Sequence, residues 1–127
     1  MDESQLLDVS MDETMGKVEI APEVIEVIAG IAASEAEGVW SLRGSLAERF
    51  GKKTHSKGVK VDLAENSIKI DLYTILKMGV SIPAVCQEIQ GNIKQSITSM
   101  TSLAVSEVNI HVVGIQAEGS KNLKDTK

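Results

Sequence analysis

Pro22 and Pro83 are the only prolines in 127 residues, and each stands where apolar residues stop alternating and begin to recur at three- and four-residue spacing. Upstream of Pro22, Val18 and Ile20 alternate with Lys17 and Glu19, the pattern of a half-buried strand. Downstream, Val24, Ile25, Val27, Ile28, Ile31 and Ala32 form a broad stripe that predicts a helix to about Ala36, with Gly38 as its terminator. A proline's fixed φ and missing N–H suit the first turn of a helix, so the same residue ends the strand and starts the helix. Pro83 does this for a second helix beginning near Ser81 or Ile82. Its apolar seam is Ile82, Val85, Ile89, Ile93, Ile97 and Met100, and Gln87, Asn92, Gln95, Ser96 and Ser99 make an uncharged opposite face.

Two strands lie between the helices and one comes after them. Val59, Val61 and Leu63 alternate with Lys60 and Asp62. Ile68, Ile70 and Leu72 then alternate with Lys69, Asp71 and Tyr73, and Glu65-Asn66 fits a tight turn, so Gly58–Ala64 and Ser67–Val80 read as a hairpin with one solvated face. Val105–Ile115 is the last strand. The order is strand, helix, loop, hairpin, helix, strand. Half-buried strands and one-striped helices pack most simply as a small two-layer α+β domain with both helices on one face of the sheet. A doubly wound fold would require near-continuous apolar strands.

The composition, 43% hydrophobic and 24% charged, allows a single folded domain. The net charge of −5 is unevenly placed. Residues 1–15 hold five acids and no base, residues 16–116 ten bases and eleven acids, and residues 117–127 three lysines and two acids. This predicts a disordered acidic arm over 1–15, a domain over 16–116 and a flexible tail over 117–127. Trp40, Phe50 and Tyr73 are the only aromatic residues, too few for a platform that stacks successive nucleic-acid bases, and no nucleic-acid partner is expected. A single cysteine, Cys86, excludes an internal disulfide and, with two histidines, leaves no ordinary Cys/His zinc cage. The acidic start lacks the basic-then-apolar pattern of a signal peptide, and no apolar run reaches the roughly 20 residues of a membrane span. A cytoplasmic location is expected.

Catalysis finds little support. Cys86 lies beside the apolar seam of the second helix, where a lone cysteine acts as a small hydrophobe. His55 falls in a basic stretch, and His111 alternates onto the polar face of the last strand. Asp62 and Asp71 sit where Lys60 and Lys69 are natural cross-strand partners. The glycines occur singly, without a phosphate-cradling pattern. No enzyme, cofactor or metal is expected. The stretch from Trp40 to Gly58 is different in kind: Trp40, Arg43, Arg49, Phe50, Lys52, Lys53 and Lys57 concentrate aromatic and basic side chains between a helix and a hairpin. Tryptophan, phenylalanine and arginine are types that anchor protein interfaces, so this stretch is the interaction-site expectation from sequence.

Four blocks carry a resemblance to a known family. They are GKVEIAPEVIEVIAGIAASEAEGV (16–39), GVKVDL (58–63), GVSIPAVCQEIQGNIKQSITSMTSL (79–103) and EVNIHVVGI (107–115). In this order they resemble the alkaline shock protein family of Gram-positive bacteria, also labelled general-stress or envelope-stress proteins. The resemblance implies a small α/β domain without known catalysis that self-associates at the cytoplasmic side of the cell envelope, in some members through a membrane-anchored partner. The short soluble members, which this chain most resembles, are linked to fatty-acid synthesis as modulators of acetyl-CoA carboxylase. The expectation is therefore a non-enzymatic regulator that contacts lipid-synthesis or envelope proteins, such as acetyl-CoA carboxylase subunits, as a homo-oligomer with peripheral membrane contact. A self-assembling scaffold at the cytoplasmic face of the membrane is the alternative. The family supplies no catalytic or ligand residues to carry over.

Overall fold

In the computed structural model the described residues are 6–42, 58–64 and 67–117. In chain order the elements are β1 (Leu7–Asp8), β2 (Glu19–Ile20), α1 (Pro22–Ser34), β3 (Val39–Leu42), β4 (Val59–Ala64), β5 (Ser67–Lys77), α2 (Ile82–Thr101) and β6 (Glu107–Gln116), with a 3-10 turn at Glu13–Met15. β5 organises the rest. Ile68, Ile70, Leu72, Thr74 and Leu76 along one of its faces are all buried, as period-two patterning requires.

β4 runs antiparallel to β5 over Ser67–Leu72, and β3 runs antiparallel over Thr74–Leu76. β6 runs parallel to it from Lys69 to Lys77 and so overlaps both. A strand has two edges, so β3 and β4 must share one of them end to end while β6 takes the other. The parallel pair needs a crossover connection, and α2 supplies it. Both helices cover the face that carries Ile70 and Leu72: α1 packs on β3 and β4, and α2 packs on β6 and on α1. The result is the expected two-layer α+β domain, with a mixed sheet.

Each helix begins and ends for a local reason. α1 carries Pro22 in its first turn and buries Ile25, Ile28, Ala29, Ala32 and Ala33. It stops at Ser34, two residues before the expected limit, and Gly38 takes a positive φ of +101° in the turn beyond it. A Cβ at Gly38 would stand 2.8 Å from Val85 Cγ2, so the absent side chain also lets this turn press on α2. At the start of α2 the Ser81 hydroxyl oxygen accepts from the Ala84 N–H at 3.4 Å. Val85, Ile89, Ile93 and Ile97 then form a buried seam at four-residue spacing. At its end Thr101 Oγ1 donates to the Ile97 carbonyl at 2.6 Å, and Ser102 turns left-handed with φ 66°.

Two details depart from the sequence reading, and a third adds to it. Val18 and Ile20 do not join the main sheet: the strand there is only Glu19–Ile20 and pairs with Leu7–Asp8. Residues 6–15, within the acidic arm, are shaped by polar bonds rather than by apolar periodicity. Asp8 accepts from the Ser10 N–H at 2.8 Å, and Asp12 accepts from the Thr14 N–H at 3.0 Å and its hydroxyl at 2.6 Å. Finally, Val39–Leu42 is a strand, where the sequence predicts the start of the loop between the first helix and the hairpin. The pairing slips between Val39 and Ser41, which breaks the alternation that would have marked it.

Candidate interaction site

The broad stripe of α1 is wider than the sheet can cover. Ile25, Ile28, Ala29 and Ala32 point into the core, while Val24 and Ile31 remain 44% and 58% exposed on the flank that faces α2. Met100, expected at the end of the α2 seam, is 68% exposed, and Ile82 at its start is also exposed. The seam is therefore four residues, and Met100 belongs to a different surface. With Val24, Val27 and Ile31 it lines an open groove of about 560 Å³ between the helices. Ser96 completes the α2 side, and Glu23 and Glu35 stand on the α1 side. An exposed apolar groove rimmed by polar residues marks an interaction site more often than chance.

The helix-free face of the sheet is built differently. Lys60 lies opposite Asp71 and Asp62 opposite Lys69, the cross-strand charge pairing expected from the hairpin. The parallel register sets Tyr73 beside His111, and their rings stack with centroids 4.6 Å apart and planes 15° from parallel. His111 Nε2 is 3.0 Å from Asp71 Oδ1. This hydrogen bond from His111 is the main reason the Asp71 carboxyl titrates below its ordinary value. An ionised carboxylate only accepts, so Nε2 carries the proton. Farther along β6, Val113 and Ile115 are exposed.

Of the interaction residues expected from sequence, Trp40 is on β3 and 38% exposed. Arg43, Arg49, Phe50, Lys52, Lys53 and Lys57 lie outside the described residues, as does His55. Cys86 is half-buried, and burial raises its thiol above the ordinary value, away from the reactive thiolate. Among the described residues no three His, Cys, Asp or Glu side chains are grouped so as to hold a metal ion. No helix among them is long and apolar enough to cross a membrane. The groove was the feature missed, although the sequence held its signal: seven apolar residues in the nine positions 24–32 of α1 span more of the helix than one contact can bury.

The sequence profile of the alkaline shock protein family, described by a cell envelope-related function, matches residues 10–117. The chain belongs to the alkaline shock protein family. This is the family of Gram-positive envelope-stress proteins that the four sequence blocks indicated, and its general role is in the envelope and stress response. Among similar proteins, the uncharacterized protein YqhY of Bacillus subtilis (strain 168) is 57% identical over 121 residues, covering 91% of this chain and 90% of the relative. Protein Spy1535 of Streptococcus pyogenes serotype M6 is 42% identical over 108 residues, 84% of each chain. Protein YloU of Bacillus subtilis is 30% identical over 116 residues, 87% of this chain and 97% of the relative. The family match begins at Ser10, inside the stretch read as an arm, and runs through the whole sheet.

Proposed function

We propose that this alkaline shock family protein is a non-catalytic adaptor of the envelope stress response, acting by protein–protein contact on lipid synthesis, with acetyl-CoA carboxylase as its target. The supporting observation is the open groove between α1 and α2, where Val24, Ile31 and Met100 stay exposed although each belongs to an apolar stripe. Apolar side chains held in water at a fixed groove gain free energy when a partner covers them. The test is mild crosslinking in cells and then co-purification, comparing wild type with Ile31→Asp and with a variant in which Arg43, Arg49, Lys52 and Lys53 are all alanine. Biotin-dependent carboxylase subunits should accompany the wild type and fall away from one or both variants. Their absence from the wild-type sample would remove the carboxylase from the proposal.

A second reading, self-assembly into a scaffold at the cytoplasmic face of the membrane, is favoured by β6. Among the described residues β6 pairs with β5 alone, and it carries exposed Val113 and Ile115 without an internal lysine or proline to guard its outer edge. Two such edges can pair about a two-fold axis. Sedimentation velocity across a concentration series decides this reading, because a scaffold must gain mass with concentration and must lose that gain when Val113→Lys charges the edge.

A further inference from the structure

We infer that the groove between α1 and α2 receives a positively charged amphipathic helix from a partner protein. The inference rests on the adaptor reading and names the chemistry of the partner. Its floor is apolar, through Val24, Val27, Ile31 and Met100, and its charged margin is wholly acidic, through Glu23 and Glu35. No lysine, arginine or histidine occurs in α1 or among the described residues that line the groove. Lys94, on α2, lines a separate depression beside Glu107 and does not neutralise this margin. Neither carboxylate has an ion-pair partner within the described residues.

The shape selects a helix. A furrow between two packed helices takes the side-chain ridge of a third, and α1, with 13 residues, offers about 20 Å of length, enough for three to four turns. The charge selects its sign. A helix with apolar residues at i, i+3, i+4 and i+7 and lysine or arginine on its flanks would cover the floor while pairing Glu23 and Glu35. The same margin argues against a second copy seated face to face, since two-fold pairing would set acidic α1 against acidic α1 with no base on either α1 to relieve it.

The test uses the full chain and two synthetic helical peptides of about 14 residues, roughly four turns, one built from leucine and lysine and one from leucine and glutamate on the same pattern. Fluorescence anisotropy should show binding of the leucine–lysine peptide, and amide shifts in an NMR titration should centre on Val24, Ile31 and Met100. Glu23→Lys with Glu35→Lys should weaken that peptide about tenfold and strengthen the leucine–glutamate peptide, because each reversal turns an attraction into a repulsion. Ile31→Ser, at an exposed position where folding is not at stake, should weaken both. Equal binding of the two peptides to wild type, no binding of either, or shifts centred elsewhere would overturn the inference, as would a dimer of the chain alone that Ile31→Ser dissociates. Failure here while Ile31→Asp still strips partners from the crosslinked sample would reject the cationic helix and leave the adaptor intact. Peptide binding with an unchanged cellular partner set would reject the adaptor role of the groove instead.

Discussion

Gly38 and Asp71 show how single residues hold this fold by different physics. At Gly38 a side chain would meet both a positive φ and the stiff Val85 methyl group 2.8 Å away. Gly38→Ala should therefore cost about 1–3 kcal/mol, read from urea denaturation midpoints. Asp71 acts through charge. Its folded pKa lies below the ordinary 3.8, first because His111 donates to it. A carboxyl depressed by folding adds stability that is fully present above its unfolded value and is lost as pH falls through the folded one. The difference in melting temperature between wild type and Asp71→Asn should thus shrink steadily as pH falls below about 4. A difference that persists unchanged at pH 2 would refute this account. The polar face that holds His111 was legible from alternation alone. Its stacking on Tyr73 was not, because that contact depends on the parallel register of β5 and β6, which strand patterns do not encode.

The elements divide by how cleanly their period is written. The middle of α2 was legible because Val85, Ile89, Ile93 and Ile97 repeat without interruption on a buried face, whereas Ile82 and Met100 carry the same period onto exposed positions at its ends. Ile93→Ala, in the middle of that seam, should cost about 2–5 kcal/mol in equilibrium denaturation through the cavity it leaves. Ser81→Ala removes the acceptor for the Ala84 N–H and should cost about 0.5–1 kcal/mol in the same measurement, a value that the long 3.4 Å bond keeps at the low end. β3 escaped notice because four residues with a register slip at Trp40 leave too little alternation to read. The groove was written in α1 as an excess of apolar residues, but excess alone does not say which side of a helix stays uncovered. That depends on where α2 comes to rest, a tertiary fact.

For the whole molecule, β5 sets the hierarchy of stability. It is hydrogen-bonded along both edges and covered on one face by two helices. Among the described residues, amide hydrogen exchange should be slowest in peptides spanning Ile70–Leu76 and fastest in residues 6–20, where β1 and β2 share only the pairs Leu7–Ile20 and Asp8–Glu19. Comparable protection in the two regions would contradict the placing of β5 at the centre. The shared edge has a further effect. Leu42 pairs with Thr74 and Val59 with Leu72, so the chain leaves the sheet and returns to it only two residues apart along one strand, about 7 Å. The two ends at 42 and 59 are thus held at a fixed spacing by β5, and closing a longer stretch of chain across so short a gap would add little entropy cost. An insertion made between 42 and 59 should therefore lower the denaturation midpoint only slightly, because the ladder that fixes both ends stays in place.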